Sequence, residues 1–129
     1  MIRIDTESMV PIYTQLIYQI KQSIIREELQ RGQSMPSVRS LAGDLGVNLH
    51  TINKAYKLLV EEGVLVQEKK GFKVNTQLPV VTNEQNQQAI IQKLDELLVD
   101  SMMFDMDLDE LIRVRSKMIK GCDKNDLDD

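Results

Sequence analysis

The chain has 129 residues, 42% of them hydrophobic and 28% charged, with a formal net charge of −4 and one cysteine. That length suits one ordinary domain, or a small domain with an added oligomerisation segment. That apolar and charged balance is normal for a soluble globular protein, the single cysteine excludes an internal disulfide framework, and no run approaches the roughly 20 apolar residues that cross a bilayer.

The charge is unevenly divided. Residues 1–79 hold ten Lys/Arg against eight Asp/Glu, a net of +2, and residues 80–129 hold six against twelve, a net of −6. A nucleic-acid binder needs a local basic face rather than a basic total, so the acidic sum does not exclude one. Asp5 and Glu7 interrupt any charged-then-apolar leader pattern. A cytoplasmic protein with no membrane segment is expected.

Residues 1–10 read as an extended lead-in. Pro11 suits the first position of a helix, where its missing N–H is no loss. Ile12, Leu16, Ile17, Ile20, Ile24 and Ile25 repeat at helical spacing, which predicts a scaffold helix from about Pro11 to Gln30, ended by Gly32. Gln33 to Pro36 reads as a loop.

The next stretch organises the chain. Ser37 can cap a short helix, and Pro36 keeps helix from running in ahead of it. Val38, Leu41, Ala42 and Leu45 share one face of that helix, and Gly46 supplies a left-handed stop. Asn48 then caps a second helix running to about Glu62, where Gly63 ends it. Ile52, Ala55, Tyr56 and Leu59 form its inward stripe, and Leu58 and Val60 fall off that stripe. Leu49, His50, Thr51, Asn53, Lys54 and Lys57 point outward. This is the pattern of a helix-turn-helix, whose second helix enters the major groove with its N-terminal residues at base edges.

Val64 to Glu68 and Gly71 to Val74 read as two short strands, with Val64 and Val66 alternating and Phe72 and Val74 alternating. The turn is Lys69-Lys70-Gly71, and Gly71 is free to take a positive φ. Two lysines at such a tip suit phosphate or minor-groove contact.

The runs Met35-Pro36-Ser37-Val38-Arg39-Ser40-Leu41-Ala42, Leu45-Gly46-Val47-Asn48 and Thr51-Ile52-Asn53-Lys54-Ala55-Tyr56 resemble the winged helix-turn-helix of the GntR family of bacterial regulators. The Lys54-Ala55-Tyr56 triplet and the short tail resemble its small YtrA-type subgroup. The resemblance covers residues 9 to 77 and, more loosely, the remainder. It implies that Arg39 meets DNA phosphate and that the first helix is scaffold. Many members carry arginine where this chain has Leu49; that departure removes the strongest guanine-reading residue type, so the resemblance carries no operator sequence over to this chain.

Thr76 to Val81 is a linker. Thr82 to Gln85 offers a capping box for a helix reaching about Ser101, with Ile90, Ile91, Leu94, Leu97, Leu98 and Met102 as its apolar stripe. Asp107 to Glu110 offers another, for a helix with Leu108, Leu111, Ile112, Arg115, Met118 and Ile119 on one face, ended by Gly121.

Other chemistry finds little support. His50 is the only histidine and has no second ligand near it in sequence. Asp105 to Asp109 opens like a calcium loop, but its sixth position is Glu110 rather than glycine and its twelfth is Ser116 rather than glutamate. One histidine and one cysteine leave no Ser/His/Asp or Cys/His pair for nucleophilic catalysis. Cys122 lies beside acidic residues, which disfavour its thiolate.

The expected architecture is mainly α with a small β-hairpin wing: a winged helix-turn-helix domain at 9–77, a two-helix dimerisation segment at 82–122, and an acidic tail at 123–129. The expected function is that of a sequence-specific DNA-binding regulator, a repressor acting as a homodimer on a palindromic operator in double-stranded DNA. It has no cofactor, no metal, no catalysis and no dedicated effector domain. Its DNA contacts are Ser37, Arg39, Asn48, His50, Thr51, Asn53, Lys54, Lys57, Lys69, Lys70 and Gly71. Its dimer contacts are Ile91, Leu94, Leu97, Leu98, Leu111, Ile112 and Met118. The rival expectation is a protein-interaction module that uses the helix-turn-helix only as scaffold.

Overall fold

The computed structural model of the chain describes residues 2–80 and 82–121. In order, the elements are α1 (Ile12–Ile25), α2 (Val38–Leu45), α3 (Leu49–Glu61), β1 (Leu65–Glu68), β2 (Gly71–Val74), α4 (Glu84–Met103) and α5 (Leu108–Ile119). They form two compact units, one within Met1–Val80 and one within Val81–Asp129. Cys122 and the acidic tail at 123–129 lie outside the described residues.

In the first unit, local chemistry sets the helix ends. The Ser37 hydroxyl oxygen accepts the Ser40 N–H at 3.1 Å to start α2. Gly46, at φ 67°, ends it with its N–H on the Ala42 carbonyl. The Asn48 carboxamide oxygen accepts the His50 N–H at 2.8 Å to start α3. A cap of this kind stabilises by about 1 kcal/mol. Between the two caps the turn has little freedom.

The core is built where these helices meet. Leu16 and Ile20 of α1, Leu41 and Ala42 of α2, and Ile52, Ala55, Tyr56 and Leu59 of α3 are buried, joined by Leu65 and Val74 of the hairpin. Each fully buried large side chain contributes roughly 1.5–3 kcal/mol. Val60 packs on the edge of this core, which accounts for one of the apolar residues off the α3 stripe, and Leu58 is half-buried.

The hairpin pairs Leu65 with Val74 and Glu68 with Gly71, leaving Lys69-Lys70 as a two-residue loop. The inward residue of β1 is Leu65, and Val66 faces outward. Gly71 takes φ 137°, a conformation that side-chain-bearing residues rarely adopt.

Three features depart from the expected layout. Helix α1 stops at Ile25, not Gln30: Glu27 turns left-handed at φ 63°, and the Glu28 and Leu29 N–H groups both return to the Ser23 carbonyl. The chain turns there because Leu29 is then buried in the core. The segment from Gly32 to Met35 is also no free loop. The Gly32 and Met35 N–H groups donate to the Val74 and Phe72 carbonyls, and the Val74 N–H donates to Gln33, so this segment lies as a third rung beside β2. Finally, the compact unit extends beyond 9–77. Ile2, Ile4 and Leu78 pack against its core. Gln15 and Gln19 hold the lead-in by their side-chain amides: Gln15 exchanges bonds with both backbone groups of Asp5, and Gln19 does the same with Arg3.

The second unit is helical. Asn83, not Thr82, caps α4, its side-chain oxygen accepting the Asn86 N–H at 2.8 Å, while Thr82 receives the Asn86 side chain instead. The helix runs past Ser101 to Met103. Asp107 caps α5 by accepting the Glu110 N–H at 3.2 Å. The Glu110 carboxylate turns to Arg113 at 2.8 Å rather than completing a box, and that hydrogen-bonded guanidinium holds its pKa below the usual value. Ser101 is the one buried side chain among the described residues of this unit.

Candidate nucleic-acid interface

The candidate surface is assembled from three pieces that Tyr56 ties together. Tyr56 on α3 is 0% exposed. Its hydroxyl donates to the Pro36 carbonyl at 2.8 Å, fixing the approach to α2. Its ring meets Phe72 of β2 edge-on, with centroids 5.0 Å apart, fixing the hairpin. Burial pushes its pKa up to about 12, so it stays neutral and keeps donating. One side chain thus sets α2, α3 and the hairpin relative to each other.

The caps leave their donors outward. Ser37 and Asn48 use only their oxygens in capping. The Ser37 O–H and the Asn48 amide hydrogens remain able to donate to an anion. Beyond Asn48, Leu49 and His50 are exposed, and Thr51 and Asn53 are partly so. No side-chain hydrogen bond ties His50, Thr51 or Asn53 to another described residue.

The cations of the first unit fall into paired and unpaired sets, and Arg3 and Arg31 are also exposed without a carboxylate partner among the described residues. Lys21 is paired with Glu62 at 2.6 Å and Lys73 with Glu68 at 3.6 Å. Arg39 on the first turn of α2, Lys57 on α3, and Lys69 and Lys70 at the hairpin tip are exposed and have no carboxylate partner among the described residues. Lys54 differs from the other expected contacts. Its ammonium lies 3.9 Å from the centroid of the Tyr13 ring on α1. A cation over an aromatic face is held by about 0.5–1 kcal/mol at an exposed site. Nothing in the sequence marks Tyr13 as its partner, because the register between α1 and α3 is a tertiary fact. No group of three or more His, Cys, Asp or Glu among the described residues could hold a metal ion.

The model of bacterial regulatory proteins of the gntR family matches residues 12–74. Over 130 aligned residues the chain is 33% identical to the HTH-type transcriptional repressor YtrA of Bacillus subtilis strain 168, covering 98% of this chain and 100% of that one. The chain belongs to the gntR family.

Solved structures agree with that placement. A transcriptional antiterminator from Listeria monocytogenes EGD-e is 29% identical, with a TM-score of 0.83 over 95% of each chain. YtrA from Sulfolobus acidocaldarius, a GntR-family transcription factor, is 40% identical, with a TM-score of 0.60 over 74% of this chain and 97% of that one. The DNA-binding domain of AraR in complex with an operator is 31% identical, with a TM-score of 0.50 over 55% of this chain and 89% of that one. The gntR-family chain described above is a DNA-binding transcription regulator, not an enzyme, and its winged helix-turn-helix carries the family's sequence signature. Among its described residues no helix is long and apolar enough to cross a membrane.

Proposed function

We propose that this protein represses transcription in the cytoplasm by binding a palindromic operator as a homodimer. The observation that carries this reading is the grouping of unpaired cations on α2, α3 and the hairpin tip around a capped helix start with free polar side chains. Arg39, Lys57, Lys69, Lys70, Ser37 and the backbone at Gly71 hold the phosphates. His50, Thr51 and Asn53 reach base edges, with Asn48 at the groove edge. Lys54 approaches the backbone from its seat on Tyr13.

The second unit supplies the dimer. Ile91, Leu94, Leu97 and Ile112 are exposed, and Leu98, Leu111 and Met118 are half-buried. A helix pair with so little of its own core is stable only against another surface, and a second copy closes a two-fold interface. A two-fold dimer presents two reading helices to half-sites about one turn of DNA apart. Residues 82–122 serve assembly, and an effector has no dedicated domain.

Selection of bound duplexes from a random library by the full chain tests this. A palindrome should emerge, bound in a ratio of two chains per duplex by sedimentation. Enrichment of a single unpaired half-site, or of nothing, would sink the homodimer reading.

A further inference from the structure

We propose that Leu49 and Asn53 make the recognition helix a reader of A·T base pairs, with the Leu49 side chain seated on a thymine methyl group. The inference rests on the DNA-binding reading and names what that site selects.

Leu49 is the first residue of α3 and is 42% exposed. A lone exposed leucine is ordinary on a protein surface. Its position gives this one meaning. Val47, two residues earlier, packs on the core, while Leu49 does not. The Asn48 cap fixes the helix start beside it. Leu49 therefore projects from the turn of a recognition helix that lies closest to base edges.

The groove offers one apolar group, the C5-methyl of thymine. A leucine there has nothing to donate to guanine, so it favours a pair that presents a methyl. Asn53 lies four residues on, on the same helix face. Its carboxamide has no partner among the described residues. An asparagine amide can accept from adenine N6 and donate to N7 together. One helical turn rises about 5.4 Å, enough to place the two side chains on neighbouring base pairs. The same pair type satisfies both: adenine carries the donor–acceptor edge and thymine the methyl.

The test uses the full chain and the duplex it selects from a random library. Each thymine of a half-site is replaced in turn by deoxyuridine, which removes only the methyl. At one thymine per half-site the wild type should bind about fourfold more weakly, and about fifteenfold with both half-sites changed, the loss that one buried CH2-sized group supports. Leu49→Ala should bind the thymine and deoxyuridine duplexes equally. Adenine replaced by 7-deaza-adenine should weaken the wild type but not Asn53→Ala. Leu49→Arg, carried through a fresh selection, should enrich guanine at the position where the wild type enriches thymine.

Wild-type binding that ignores every deoxyuridine replacement would overturn the proposal. So would equal thymine preference in Leu49→Ala, or an unchanged consensus for Leu49→Arg. If a site is selected and tightly bound while these comparisons fail, only the A·T reading falls. If no duplex is bound even at low salt, the DNA-binding reading falls with it.

Discussion

Replacing Tyr56 by phenylalanine removes one oxygen and leaves the ring. The oxygen donates to the Pro36 carbonyl at 2.8 Å from a fully buried side chain. Its loss should cost about 1 kcal/mol at neutral pH, mostly because the carbonyl loses its partner. The edge-on contact with Phe72 survives, so the fold should persist. The second consequence is a pH dependence of definite sign. Burial raises the folded pKa of Tyr56 to about 12, above an unfolded value near 10. The buried phenol must stay neutral, so its contribution is fully present below pH ~10 and is lost as pH rises through 12. Between pH 9 and 11 that linkage removes roughly 1.3 kcal/mol from the wild type and nothing from the variant. The gap of about 1 kcal/mol at pH 7 should therefore close, and the two proteins should become equally stable near pH ~11. Urea unfolding of both chains at matched concentration, from pH 7 to 11, measures the difference directly, with lysine titration common to both. A gap that stays constant over this range would refute the claim that Tyr56 is buried and neutral in the folded protein.

Arg39→Ala and the pair Lys69→Ala/Lys70→Ala should weaken binding to all duplexes alike, each lost phosphate contact flattening the log–log salt slope by roughly 0.9; titrations at several salt concentrations read it. Alanine at His50, Thr51 or Asn53 should cost about 1–3 kcal/mol on a selected site and almost nothing on random duplex. Leu94→Asp or Leu97→Asp should leave the first unit folded but yield a monomer in analytical ultracentrifugation that binds a half-site weakly; a stable dimer from both would place the interface elsewhere. Glu27→Gly should raise stability by about 0.5–1 kcal/mol in thermal melts, because the left-handed backbone at φ 63° suits glycine.

The reading pair of helices was legible because its determinants are local. A hydroxyl at Ser37, a glycine at Gly46 and a carboxamide at Asn48 each act within a few residues, and the stripe from Ile52 to Leu59 needs only helical periodicity. What escaped was decided at a distance. The left-handed turn at Glu27 carries no glycine to announce it, and it exists because Leu29 gains burial. Gln33 and Ser34 have no strand preference of their own. They extend because β2 offers them partners. Gln15 and Gln19 look like solvated helix residues until the lead-in lies against them. In the site, the exposure of His50 and Lys57 follows from helical periodicity and that of Lys69 and Lys70 from the turn, whereas the seat of Lys54 on Tyr13 requires the packing of α1 against α3.

The two units divide two physical problems. A reading helix must be held within a fraction of an ångström to discriminate bases, and the first unit does this with a closed core and a tyrosine bridging three elements. The proposed assembly needs surface left open, and in the second unit Ile91, Leu94 and Leu97 are exposed. Joining both tasks in one core would couple them, since a residue that tuned the dimer would also shift the reading helix. In the proposed homodimer, substitutions on α3 should change which bases are preferred, and substitutions on α4 should change the protein concentration at which two half-sites are bound together. A short chain built in that way can diverge in operator sequence without losing the proposed second copy. Leu49 stands at a point where such divergence is least constrained: it is exposed at the helix start, outside the core, beside a cap that holds the backbone whatever side chain follows.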